Sequence, residues 1–125
     1  MKSQPNASVE ALTRASKGLM MPSETDAPFE VFAWDDTEDL TTSRLLERAC
    51  EPKSTAVEEM SLETLFATVP SEDRAKFRSL QQAIQEQLSG VKVYKVGSEP
   101  EREVFIVGKT KDGKLSGLKT IVIET

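Results

Sequence analysis

Apolar residues recur at helical spacing through the first two-thirds of this chain and at alternating spacing through the last third. The period changes at Gly90. Ser8 is placed to cap a first helix with Val9, Leu12, Ala15 and Leu19 on one face, and Gly18 suits its stop. Arg14 and Lys17 fall in its last turn, where they complement the helix dipole. Residues 22–28 form a polar loop bracketed by Pro22 and Pro28. Residues 29–34 then read as a strand, with alternation strongest at Phe29, Val31 and Ala33. An acidic loop follows at residues 35–39. Residues 41–50 carry only Leu45 and Leu46 as large apolar anchors and read as a short helix, broken at Pro52. Ser61 caps a brief helix bearing Leu62, Leu65 and Phe66, and Pro70 marks its end. Ser71 opens the clearest helix, with Phe77, Leu80, Ala83, Ile84 and Leu88 on one face and Gly90 as its left-handed stop.

Beyond Gly90 the pattern predicts three strands. The first spans residues 91–96. The second, residues 104–107, is apolar on both faces and therefore central. Asp112-Gly113 is a strong hairpin signal that joins it to the last. Gly108 and Gly117 flank this hairpin and mark a bulge or a close backbone approach. The terminal strand sets Leu118 and Val122 on one face against Ile121 and Ile123 on the other. It runs to Thr125, so the Glu124 carboxylate, the Thr125 hydroxyl and a terminal carboxylate would share the tip of a rigid element, as a compact set of hard oxygen ligands. Two apolar sheet faces need cover on both sides. The expected fold is α+β, a three-layer α/β/α sandwich around a mainly antiparallel sheet, as a single domain over residues 1–125.

Composition narrows the function more than the fold. The chain has 125 residues, 38% of them hydrophobic and 30% charged, which suits one small, well-solvated domain. No apolar run approaches the roughly 20 residues of a spanning helix. Met1-Lys2-Ser3-Gln4-Pro5-Asn6 is followed by no hydrophobic stretch, so no secretory signal is expected. The lone Cys50 cannot form an intrachain disulfide and reads as a small helix residue; it fits a reducing compartment. Histidine is absent, which removes His-based acid–base catalysis, the Ser-His-Asp triad and the Cys-His dyad from this chain. One cysteine and no histidine also exclude the usual zinc sites, and the six glycines form no phosphate-binding fingerprint. Asp35-Asp36 with Glu38-Asp39 is the densest carboxylate group, without the pattern of a Ca²⁺ loop. An enzyme is the weakest class of hypothesis, and no cofactor of the chain's own is expected.

The net charge of −5 is unevenly spread: residues 22–63 hold twelve acidic and three basic side chains. Such a segment repels nucleic acid, which is bound by Lys and Arg neutralising phosphates. It attracts a basic cleft and speeds association with a cationic partner. An ordinary solvated acidic surface is the plainer reading of the same residues.

The run Gly18-Leu19-Met20-Met21-Pro22-Ser23-Glu24-Thr25-Asp26-Ala27-Pro28-Phe29-Glu30-Val31-Phe32-Ala33-Trp34 resembles the equivalent stretch of the nuclease A inhibitor (NuiA-like) family. Val93-Tyr94-Lys95-Val96-Gly97, Val104-Phe105-Ile106-Val107-Gly108 and the ending Glu124-Thr125 are similar to the same family in order and spacing. With the long helix around Ala75-Lys76-Phe77, the resemblance covers about half of the chain.

The resemblance implies a non-catalytic inhibitor of Mg²⁺-dependent, sugar-non-specific DNA/RNA endonucleases, with a pathogenesis-related-1-like α/β/α sandwich. It implies that the Thr125 hydroxyl joins the coordination shell of the partner's Mg²⁺, in the complex only, and that Glu24 stands in for a substrate phosphate. Glu124 adjoins the tip. Asp35, Asp36, Glu38 and Asp39 would supply long-range attraction to the cleft, with Trp34 beside them as a rim or core aromatic. The partner would be an endonuclease, not nucleic acid or a membrane, and the inhibitor a monomer. Family members that bind nucleases carry an Asp-Trp pair ahead of the long helix; here that region reads Val69-Pro70-Ser71-Glu72-Asp73-Arg74. Residues 41–60 also match poorly. The alternative is a non-catalytic interaction module of the same fold, binding another basic partner through its acidic face.

Overall fold

In a computed structural model, residues 7–24, 26–98 and 100–123 are described. Helix α1 spans Ala7–Ser16 and is followed by two short strands, β1 (Met20–Met21) and β2 (Ala27–Pro28), paired antiparallel. Strand β3 (Glu30–Ala33), helix α2 (Thr42–Arg48), strand β4 (Val57–Met60) and helix α3 (Leu62–Phe66) come next. A 3-10 turn at Ser71–Asp73 leads into the long helix α4 (Arg74–Gln87). The chain then runs through β5 (Ser89–Val96), β6 (Glu101–Lys109) and β7 (Leu115–Ile123). The main sheet has the order β3-β7-β6-β5-β4 and is antiparallel throughout. Strand β6 is its centre, as its two apolar faces require: Val104 to Val107 are all buried.

The pleat sends alternate residues of the sheet to two separate cores. One holds Val93, Val104, Ile106, Leu118 and Val122 beneath Leu12 of α1, Leu62, Leu65 and Phe66 of α3, and Phe77, Leu80 and Ile84 of α4. The 3- and 4-residue spacing of Phe77, Leu80, Ile84 and Leu88 sets these side chains on one stripe of α4. Burial of each such side chain stabilises by about 1.5–3 kcal/mol. The opposite face carries Tyr94, Val96, Phe105, Val107 and Leu115, met by Leu45 and Leu46 of α2 and by Phe32 and Trp34. The two leucines of a seven-residue helix therefore anchor the cover of that face. Further along β7 the same face carries Lys119, bridged to Glu103 at 3.1 Å, and then Ile121 and Ile123.

Local chemistry sets the element ends. Thr41 caps α2 by accepting from the Arg44 amide at 3.1 Å, and Ser61 caps α3 by accepting from the Thr64 amide at 3.1 Å. Gly113 turns the β6–β7 hairpin at φ +82°. Gly117 is a close approach: a Cβ there would lie 1.7 Å from the Ile106 carbonyl oxygen. Gly108 faces a bulge, since Ser89 pairs with Lys109 and Lys92 with Val107, so Gly90 and Val91 oppose Gly108 alone.

Four expectations shift. Helix α1 is described from Ala7 onward, so Ser8 lies inside it. Gly90 has φ +61° but belongs to the β5 bulge, because the chain is already extended at Leu88. Cys50 lies beyond α2 and not within it: its φ is +59°, its amide donates to the Glu47 carbonyl, and the Glu51 amide donates to the Leu46 carbonyl. That pair of bonds is a Schellman stop, which favours glycine at this position. Strand β4 was not expected, because Val57-Glu58-Glu59-Met60 is short, acidic and at an edge.

Candidate functional site

Residues 20–28 fold back on the end of β7. The β1–β2 ladder pairs Met20 with Pro28 and Met21 with Ala27, which draws the intervening loop into a narrow turn. Met21 is buried and anchors it in the first core. The Thr120 hydroxyl donates to the Pro28 carbonyl at 2.9 Å. At the tip, the Ile123 amide donates to the Ser23 hydroxyl at 3.1 Å, and the Glu24 amide donates to the Ile123 carbonyl at 3.2 Å. Exposed Glu24 is thereby held beside the last described residue of the strand. Glu124 and Thr125 follow it directly and lie outside the described residues.

This corner borders an open groove of about 620 Å³ between the loop, β4 and α3. Met60, Leu65 and Val122 supply apolar lining, and Glu24, Glu58 and Lys95 supply charge. Glu58 is bridged to Arg102 at 3.0 Å. Pro70, ahead of α4, also lines the groove, and its neighbour Val69 is buried in the first core. The region where the resemblance leads one to look for an Asp-Trp anchor is thus beside the tip and carries no aromatic.

Trp34, Asp35 and Asp36 sit elsewhere. The Trp34 amide donates to the Leu115 carbonyl at 2.8 Å, and the Leu115 amide donates to the Asp36 carbonyl at 2.9 Å. Leu115 begins β7 and Ile123 ends its described length, so the two groups lie roughly 26 Å apart at about 3.3 Å per residue. Trp34 stacks on Phe32 with ring centroids 4.3 Å apart, and the Arg48 guanidinium lies 5.4 Å over it. Asp36 is only 12% exposed and is shared by Arg44, at 3.4 Å, and Arg48. Its carboxylate is occupied in tying α2 to the segment after β3. Asp35 is exposed. Asp39 pairs with Lys109 at 2.8 Å, and the hydrogen bond and charge of that lysine hold its carboxyl below the usual carboxylate range.

The structure brings Glu24 to the end of β7 and does not bring Trp34, Asp35 or Asp36 there. Glu58 and Lys95 join the corner without having been picked out in the sequence. The signal for Glu58 was slight: Val57 and Met60 flank two glutamates after the Pro52 break. Among the described residues, no helix is long and apolar enough to cross a membrane. No three Asp, Glu or Cys side chains among them are gathered to hold a metal ion.

No curated protein matches the chain. Residues 6–125 match the family described as nuclease A inhibitor-like protein, and with nearly the whole length covered the chain belongs to that family.

Proposed function

We propose that this protein inhibits a Mg²⁺-dependent, sugar-non-specific DNA/RNA endonuclease by placing Thr125 and the Glu24 loop in its active site. At the level of the family, the role is that of a nuclease inhibitor. The target and the tail mechanism are our reading. One observation carries it: Ser23 and Glu24 are hydrogen-bonded to Ile123, so a loop carboxylate is fixed beside the strand that leads into Glu124 and Thr125.

The chemistry suits that use. Mg²⁺ takes oxygen ligands and keeps several waters, so a threonine hydroxyl can replace one water without rebuilding the shell. A carboxylate beside the metal can occupy the place of the scissile phosphate, among groups arranged to stabilise negative charge. The ion would belong to the nuclease and be shared across the interface. Asp35 and the neighbouring carboxylates would act at a distance, by steering association with a basic cleft. We also read the two cores as the layers of a three-layer, pathogenesis-related-1-like α/β/α sandwich, and the site of action as the cytoplasm.

A second reading, an interaction module for another basic partner, is favoured by the corner's lack of an aromatic anchor near Pro70, since buried aromatics dominate many interfaces. Nuclease titration with the intact chain, a Thr125 deletion and Glu24→Ala separates the two. Loss of about 2–4 kcal/mol of binding on deleting Thr125 is expected, the size of an interface hot spot. An intact chain that fails to inhibit any such nuclease at micromolar concentration would overturn the inhibitor reading. Inhibition that survives both changes would overturn the tail mechanism.

A further inference from the structure

At the corner of the sheet where β5 and β6 meet the loop before α2, and so remote from the end of β7, lies a second cavity of about 310 Å³. This is at the lower end of the size of small-molecule sites, about 300–1,000 Å³. Val107 and Leu115 give it an apolar floor and Leu40 an apolar wall. Tyr94 also lines it. Tyr94 is 8% exposed. Burial and the nearby Glu59 charge raise its pKa, so it remains a donor.

Charge surrounds the opening. Lys92 and Lys109 project from neighbouring strands on the same face, and both line the cavity. Lys109 is capped at 2.8 Å by Asp39, whose side chain is 93% exposed, and Lys92 is 3.7 Å from Glu59 on β4. Asp39 already shows what one lysine accepts at this opening, a carboxylate on the end of a short stem. Because Asp39 is exposed, it can turn away into water at little cost.

We propose that this cavity binds a small carboxylate with an apolar body, the carboxylate replacing Asp39 on Lys109 and accepting from the Tyr94 hydroxyl. The apolar part would rest on Val107, Leu115 and Leu40. Lys92 would add attraction without direct contact being needed. Nothing in this depends on the nuclease reading, and its test uses no nuclease.

The test is a titration of ¹⁵N-labelled protein with benzoate, acetate and benzylamine, followed by amide shifts. Benzoate in the millimolar range is expected to move Gly90, Lys92, Tyr94, Gly108 and Lys109, with acetate and benzylamine much weaker. Lys109→Gln and Tyr94→Phe are each expected to weaken benzoate about tenfold, as loss of a charge-assisted or buried hydrogen bond does. Asp39→Asn is expected to tighten it by removing the competitor. The same spectra report whether each variant stays folded. Absence of benzoate shifts at this corner, equal binding of benzylamine, equal binding of acetate, or unchanged affinity in Lys109→Gln and Tyr94→Phe would each overturn the proposal. Weaker benzoate binding in Asp39→Asn would overturn the competition with Asp39.

Discussion

Ser23 and Ile123, 100 residues apart, share a hydrogen bond in which the Ile123 amide donates to the Ser23 hydroxyl at 3.1 Å. With the Glu24 amide donating back to the Ile123 carbonyl, a loop near the start of the chain is clamped to the end of its last strand. Ser23→Ala leaves the Ile123 amide without this acceptor, and about 1 kcal/mol of stability is expected to go with it. Urea unfolding measures that loss. If inhibition uses the Glu24 loop, the same variant weakens it by more than the stability change accounts for. A nuclease titration on fully folded variant is the check.

Gly117 lies where no side chain fits, because a Cβ would meet the Ile106 carbonyl at 1.7 Å and the Phe32 ring at 3.2 Å. Backbone cannot swing away as a side-chain tip can. Gly117→Ala is therefore expected to cost more than about 3 kcal/mol, beyond the usual range for a single substitution. Gly113→Ala meets no atoms and suffers only its positive φ, so it loses less. A thermal melt of the two variants side by side ranks them.

Asp35 and Asp36 are neighbours with opposite expected behaviour. Asp36→Ala takes the shared carboxylate from Arg44 and from Arg48, the latter lying over Trp34, and about 1–2 kcal/mol of stability is expected to be lost. Asp35 is exposed, and Asp35→Asn is expected to leave the unfolding midpoint unchanged. If residues 35–39 steer a basic partner, Asp35→Asn slows association at low ionic strength, and the difference fades as salt rises. Stopped-flow mixing at two salt concentrations shows it.

Cys50 holds a left-handed backbone at φ +59° with its side chain exposed. Left-handed geometry costs an ordinary L-residue about 1–2 kcal/mol, and glycine almost nothing. Cys50→Gly is expected to stabilise the protein by about 1 kcal/mol, offset in part by the greater freedom of glycine in the unfolded chain. A higher urea midpoint with unchanged slope is the expected result.

Burial first, and then the Glu59 charge, lift the Tyr94 phenol above its ordinary value. A raised folded-state pKa means that the unfolded chain gives up the proton first as pH climbs. The stability tied to neutral Tyr94 is whole below about pH 10 and is lost as pH rises through the higher folded value. Tyr94→Phe removes that alkaline loss. Unfolding curves of the two proteins on either side of pH 10 are expected to show the wild type losing stability relative to Tyr94→Phe at the higher pH.

The clearest parts of this fold were written locally. The stripe of Phe77, Leu80, Ile84 and Leu88 determined a helix and its buried face. Ser61 determined where α3 begins, and Asp112-Gly113 where the last hairpin turns. Alternation at Leu118, Ile121, Val122 and Ile123 determined two sheet faces. In each case a residue's backbone preference and burial are settled by neighbours a few positions away. Tertiary structure decided the rest. It placed Glu24 at one end of β7 and Trp34, Asp35 and Asp36 at the other, although only ten residues separate Glu24 from Trp34 in sequence. The reason is register: β3 pairs with the first half of β7, while the loop before it is bound to the second half by Thr120 and Ile123. It also made an edge strand of Val57-Glu58-Glu59-Met60, whose own pattern is too short and too acidic to specify one without the waiting edge of β5.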